Sequence, residues 1–507
     1  MIRLAALAAF GAFATTPAFA HEGMMDMPGM EMPETQKKPQ PKAPEKKPVK
    51  KAAPKPAAAK PVEAPAPVLA APAPHVETPQ IEGAPAPVAA TAKPEDVPTM
   101  NAMEGMDMSE HAHMDHGGHD KQMTGLFGGY AMTRDASGTA WQPAAAPHDM
   151  QHFTVGDWML MGHLTLNGVY DWQGGPRGDE KSFVNGMIMG AARRDLGNGD
   201  VVNFRAMLAP DPLMGKSGYP LLLAAGETAD GATLLRDRQH PHDLFMELSA
   251  SYSHSLTEHD SIFVYAGLPG EPAFGPPAFM HRVTAMDSPE APISHHWLDS
   301  THVTFGVVTA GWVHGDWKIE ASKFRGREPD EKRYNIETGD LDSEAVRVSW
   351  NPTGRWALQA SWADLKSPEA LHPDEDETRW SASAMYVLPL PNDGALSAMA
   401  AFGRKEHGDE KLDAWVFEGA WKPNRKWTAF ARYEALENAE LAIAPPSDDP
   451  QNVSRLSIGA IRDFQIRERV TFGVGGLYSR HFISDLLDPS YGGDQDGAMA
   501  FVRLKIS

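Results

Sequence analysis

The chain has 507 residues, with 46 Lys+Arg against 67 Asp+Glu, 26 Met, 21 His and no Cys. A net charge of −21 argues against a nucleic-acid binder, which needs a basic face for phosphate. The lack of cysteine excludes disulfides, thiolate metal sites and cysteine nucleophiles, and suits an oxidising compartment.

Residues 1–20 read as a secretory signal: Arg3, an apolar run from Leu4 to Phe13, and small residues around Ala18-Phe19-Ala20 for cleavage. That run is too short to cross a bilayer, and no later stretch of about 20 apolar residues follows. An exported chain without a helical span is expected.

Residues 21–150 read as a disordered tail in three pieces. The linker 33–98 is rich in Pro, Ala and Lys and lacks aromatics, so it cannot bury enough apolar area to offset chain entropy. Its prolines favour polyproline II, which at about 3.1 Å per residue reaches on the order of 200 Å. Nine Lys from Lys37 to Lys60 make it locally basic. It reads as a solvated spacer, with contact to an acidic wall polymer such as peptidoglycan as the alternative.

The flanking clusters carry chemistry. Residues 21–32 hold His21, Met24, Met25, Met27, Met30 and Met32, and residues 100–123 hold Met103, Met106, Met108, His111, His113, Met114, His116 and His119. Thioether sulfur is a soft donor that needs no deprotonation and suits Cu(I), while imidazole also takes Cu(II). Cleavage after Ala20 would add the α-amine of His21 as a Cu(II) chelator. The expected metal is copper, Cu(I) before Cu(II).

Residues 151–507 change to short runs alternating apolar and polar, the period of strands. Sixteen strands are predicted, beginning near residues 157, 183, 201, 243, 260, 301, 316, 343, 355, 378, 394, 411, 425, 453, 469 and 497. Four of them place an aromatic at each end of one face: Trp356 to Trp362, Trp380 to Tyr386, Trp415 to Trp421 and Trp427 to Tyr433. Six residues of strand span about 20 Å, near the separation of two interfacial aromatic belts. Connections after even-numbered strands are short, such as Asn198-Gly199. Those after odd-numbered strands are mostly long, such as Pro210 to His240 and Pro269 to Ser300. A soluble β-sandwich has no reason to sort its loops by parity, whereas an outer-membrane barrel does. The fold class expected is all-β, a transmembrane antiparallel barrel of about sixteen strands behind a periplasmic tail, in the outer membrane of a Gram-negative bacterium. The terminal strand resembles the one such barrels present to their assembly machinery, except that Ile506-Ser507 stands where an aromatic residue is usual.

Two further groups of residues are candidates. The long loops carry His240, His242, His281, His295, His296 and His302, which are expected either to meet at the pore mouth as a transition-metal site or to serve as loop hydrogen-bonders. Facing Trp158, Leu160, Leu164 and Leu166 to lipid turns Met159, Met161 and His163 inward, joined by Met187, Met189 and Met207. Exposed thioethers gain nothing in a watery pore. This wall therefore either packs against a plug or guides soft metal ions.

Signal, Met/His-rich tail around Met103 to His119, and barrel together resemble the outer-membrane copper-resistance protein B family of Gram-negative bacteria. The segments Gln239-His240-Pro241-His242-Asp243 and His295-His296-Trp297 also look like those of exported proteins associated with copper-handling genes. The resemblance implies copper tolerance, by sequestration or by passage across the outer membrane. The partners expected are outer-membrane lipids, and periplasmic copper proteins or peptidoglycan through the linker. The alternative is a general porin-like channel with a tether. No G-x-S-x-G, H-E-x-x-H or phosphate-loop motif suggests an enzyme.

Overall fold

A computed structural model describes residues 123–147, 150–443 and 449–507. The strands are β1 (Gln151–Val155), β2 (Trp158–Gln173), β3 (Glu180–Gly197), β4 (Asp200–Leu208), β5 (Tyr219–Thr228), β6 (Leu234–Gln239), β7 (Phe245–Ser255), β8 (Asp260–Gly267), β9 (Val307–His314) and β10 (Trp317–Phe324). They continue with β11 (Ser343–Trp350), β12 (Trp356–Leu365), β13 (Glu377–Leu390), β14 (Gly394–His407), β15 (Glu410–Asn424), β16 (Trp427–Asn438), β17 (Gln451–Arg467), β18 (Val470–Phe482) and β19 (Asp496–Ile506). β2–β4 and β7–β19 pair antiparallel in chain order, and β19 closes on β2 through Gly497↔Gln173 to Ile506↔Leu164. These sixteen strands form a closed barrel. β1 continues the wall below β19, with Val155 opposite Trp158. β5 and β6 form a separate hairpin.

Each predicted strand is present. Fifteen begin within a few residues of their expected starts; β9 begins at Val307 rather than near 301, because Ser300–His302 forms a helical turn instead.

Alternation explains why the sheet closes around a polar interior while showing an apolar exterior. On β15, Trp415 and Trp421 are 49% and 52% exposed, whereas the intervening Val416 is fully buried. β16 shows Trp427, Ala429, Ala431 and Tyr433 outward and buries Thr428, Phe430 and Arg432. Near the short turns Trp317 stacks on Trp350 at 4.9 Å and Trp356 meets Tyr386 at 4.8 Å; toward the long loops Trp362 meets Trp380 at 6.4 Å. An apolar belt running round the whole wall far exceeds the few hundred Å² that soluble monomers expose. The chain is an outer-membrane-type transmembrane barrel.

Much of the lumen is occupied. Among the described residues, three segments enter it: residues 123–147, the β4–β7 connection (209–244) and the β8–β9 connection (268–306). The first of these corrects the expectation that the disordered tail runs to residue 150. Phe127 packs on Phe263 at 4.4 Å, and Tyr130 on Trp141 at 4.8 Å. Wall cations donate to this segment's carbonyl and hydroxyl oxygens: Arg205 to Ala136 and Gly138, Lys318 to the Thr139 carbonyl, Arg347 to Thr139 Oγ1. A segment whose regular structure is limited to the helical turn Met132–Arg134 and two β-bridges thus finds partners for buried backbone groups on the wall. The signal sequence, the linker and the tail residues His21 to His119 lie outside the described residues.

Lipid exposure of the outer face is testable at Ile458, midway along β17 and 54% exposed. Ile458→Arg is expected to lower the stability of the barrel folded into bilayers by about 2–4 kcal/mol, read by denaturant unfolding. No loss would mean that this face does not meet lipid.

Candidate metal centre

The site is built from the β8–β9 connection, which enters the lumen and is fastened there by ion pairs to the wall. Arg282 donates to Glu418 of β15 at 2.6 Å and to Asp299 of its own segment at 2.9 Å. Asp287 pairs with Arg503 at 2.7 Å and with Lys422 at 2.8 Å, Glu290 with Arg455, and Ser294 donates to Glu434 at 2.7 Å. The wall charges that alternation places inward therefore serve as anchor points.

Asp299 orients the histidines. His295 and Asp299 stand four residues apart around the short helix His295–Leu298, so one turn brings them together, and His295 Nδ1 lies 2.8 Å from Asp299 Oδ1. The other carboxylate oxygen accepts from the Phe279 amide and from Arg282, both at 2.9 Å. The Asp299 backbone carbonyl accepts from His302 Nδ1 at 2.6 Å. From the β4–β7 connection, His242 Nδ1 lies 2.8 Å from Asp211 Oδ2.

The three imidazoles converge. His242, His295 and His302 each offer a ligand nitrogen, all within 4.8 Å of one another, and all three residues are buried. Rings of His242 and His302, and of His295 and His302, are 5.1 Å apart. Phe279 lies against all three, at 5.6 to 6.2 Å. Because oxygen acceptors take each Nδ1–H, the neutral rings carry their lone pairs on Nε2. His242 Nε2 and His302 Nε2 lie 3.2 Å apart. A proton on one of the two nitrogens satisfies that contact, and a metal ion held by both would do the same. Histidine ligands backed by an oxygen acceptor on the second ring nitrogen are the common arrangement of metal sites.

Electrostatics favour uncharged ligands. Burial holds His295 below its ordinary range although Asp299 pulls the other way. Burial, then His242 and His295, holds His302 well below it. Asp299 stays ionised: burial opposes its charge, but His295 and Arg282 keep its carboxyl far below the usual range.

A second tier surrounds these three. His240 Nε2 lies 3.1 Å from Glu227 and His296 Nδ1 3.3 Å from Glu328, with His240 and His296 rings 6.0 Å apart. Burial, followed by Arg333, holds His240 well below its usual range; for His296 burial works the same way, but Glu328 prevails and raises it. Gly226 approaches His296 so closely that a Cβ would sit 2.8 Å from Nε2, at a φ of +125°. Five of the six loop histidines thus lie together, and each also contacts an oxygen acceptor.

His281 does not join them; it points away to the methionine wall. There Met161 packs with Met132 of the 123–147 segment, and Met187 and Met207 pack with Met280 beside Met189. The wall methionines thus touch lumen segments, a contact compatible with either expectation, packing against a plug or guidance of soft ions. Asp211, Asp299, Glu227 and Glu328 escaped the sequence reading. Only the four-residue spacing of His295 and Asp299 was a signal for any of them.

No protein-family model matches the chain, and no curated protein does. Among solved structures it is similar to an OmpF of Salmonella typhi crystallised with daunomycin (12% identity, 70% of this chain and 100% of that one, TM-score 0.45). It is also similar to an anion-selective porin of Comamonas acidovorans (12% identity, 69% and 99%, TM-score 0.41) and to the outer-membrane channel DcaP of Acinetobacter baumannii (12% identity, 70% and 99%, TM-score 0.40). None of these comparisons singles out the copper-resistance protein B family.

Arg282 is the cation on which this geometry turns. Arg282→Met leaves Glu418 and Asp299 buried without it, and is expected to cost about 3–5 kcal/mol. Limited proteolysis of the folded barrel should then cut within 268–306; a cleavage pattern like that of the parent would show that the segment is held otherwise.

Proposed function

We propose that this barrel is a copper-binding member of the porin-like outer-membrane proteins of Gram-negative bacteria, contributing to copper homeostasis by sequestration or passage of the ion. The observation that carries the reading is the convergence of His242, His295 and His302, each with Nδ1 on an oxygen acceptor. Three imidazoles suit borderline ions, Cu(II) and Zn(II) among them. Copper is favoured over zinc by the rest of the chain, because the thioethers from Met24 to Met32 and from Met103 to Met114 select Cu(I). In this reading the tail extends into the periplasm and gathers copper there, from solution or from periplasmic copper proteins. The Lys-bearing linker spans the wall polymer, the barrel sits in lipid, and the ion is cargo.

A second reading, a porin-like channel for small solutes, is favoured by one observation. A cavity of about 980 Å³ opens at the short-turn end, lined by Asp287, Lys422, Arg425, Asp463, Arg469 and Arg503 among others. A vestibule with charges of both signs suits water and ions.

Titration of the full chain in detergent with Cu(II) and Zn(II) separates the two. His242→Ala with His302→Ala is expected to weaken Cu(II) binding at the barrel by at least tenfold, and replacing the tail methionines by Leu to remove most Cu(I) binding. Copper binding untouched by both sets, together with solute conductance in planar bilayers that copper does not alter, would sink the copper reading in favour of the channel.

A further inference from the structure

His281 stands next to Arg282, whose guanidinium is clamped between Glu418 and Asp299, so the turn that fixes one residue aims the other. The His281 amide donates to the Ala278 carbonyl at 2.8 Å, which holds that turn. The imidazole reaches toward β4, where its Nε2 lies 3.0 Å from Met207 Sδ. The His163 ring approaches it edge-on at 6.3 Å.

The wall opposite is built for sulfur. His163, Met189 and Met207 are register partners across β2, β3 and β4, so their inward side chains form one row. At about 4.8 Å per strand that row spans roughly 10 Å. Met207, Met187 and Met246 are buried, with Met189 and Met280 packed against them. Burial, then His163 and Arg205, pushes His281 down to about 3, so the imidazole is neutral. The nearby cation, Arg205, is itself engaged by Glu247 at 2.8 Å. Below this row Met161 packs with Met132, beside Met159 and Met150. Met150 also lines the vestibule at the short-turn end, so thioethers lead from that mouth toward His281.

Core packing accounts for the buried methionines, and an N–H···S hydrogen bond satisfies the His281–Met207 contact as it stands; on the other tautomer the same two atoms are a nitrogen and a sulfur donor side by side, with further thioethers around them. We propose that Met207 and His281, with the row residues Met189 and His163 at hand, form a second metal site inside the barrel that takes a soft monovalent cation, Cu(I) or Ag(I). It differs in kind from the three-histidine centre, which offers nitrogen alone. Zinc–thiolate and zinc–imidazole bonds of about 2.3 and 2.0 Å set the scale, so the two donors, now 3.0 Å apart, must separate by roughly 1 Å or somewhat more to admit an ion. This site stands or falls independently of the three-histidine centre.

The probe is Ag(I), titrated in competition with a chelator into the full-length chain whose tail methionines are all replaced by Leu. That background is expected to bind one Ag(I) tightly. Met207→Leu, which conserves volume, should weaken it at least tenfold, and Met207→Leu with His281→Ala should abolish it. His281→Met, which keeps a soft donor, should retain it, and His242→Ala with His302→Ala should leave it unchanged. Heat-modifiable migration on gels verifies that each variant is folded, and Met207→Leu alone decides the matter if the double variant is not. A background chain that binds no Ag(I), or Ag(I) affinity indifferent to Met207→Leu, overturns the site. Cu(II) titration of the same variants reads the other centre separately.

Discussion

Arg282 holds the interior together. It lies between Glu418, on the barrel wall, and Asp299, within the segment it helps to fold, and both contacts are buried. Neither carboxylate is affordable in such surroundings without a partner. The guanidinium suits the role because its planar fork donates in several directions at once and does not lose its proton. Through Asp299 the same interaction aims His295 and His302, and through the turn at Ala278 it aims His281 the opposite way. One buried cation therefore sets the orientation of two donor groups that face different parts of the lumen.

The constraint behind this is closure. A barrel removes its sheet edges, leaving an interior whose inward residues must meet water or polypeptide. Here polypeptide occupies much of it, and each entering segment brings backbone groups that need partners. The inward Arg, Lys, Glu and Ser residues supply them: Arg347 reaches Thr139 and the Gly275 carbonyl, Ser361 accepts from the Gly275 amide, and Glu418 also accepts from Thr284. The charges a porin would turn toward solutes are here largely spent on fastening its own loops. The charged vestibule at the short-turn end is where mixed charges still line open space.

The barrel was readable from the chain because alternation and loop parity are local signals that repeat sixteen times. Where the reading slipped, local period was missing. Residues 123–147 have no alternation, and their apolar area lies in scattered residues such as Leu126, Phe127, Tyr130, Met132 and Trp141. The start of β9 was set too early because Ser300-Thr301-His302 looks like strand but closes a helical turn under Asp299. The loop histidines could be named but not sorted: His281 follows Met280 and sits 14 residues before His295, and nothing in that spacing separates them. Their carboxylate partners come from four different places in the chain, Asp211, Glu227, Asp299 and Glu328. Three of these four have no sequence relation to the histidine they contact.

The two donor sets differ in a way that bears on how an ion would be handled. The nitrogen set is rigid, because each ring is fixed through its second nitrogen, and rigid imidazole sites discriminate by geometry. The sulfur set is adaptable, because methionine has three rotatable bonds and a polarisable donor, and so discriminates by softness. Phe279 lies against the first set, and Met280 and His281, the next two residues, face the second. A single short stretch therefore joins an all-nitrogen donor set to one that pairs nitrogen with sulfur. If both sets take metal as proposed, the adjacency has chemical use for an ion able to exist in a borderline and a soft monovalent state, as copper can.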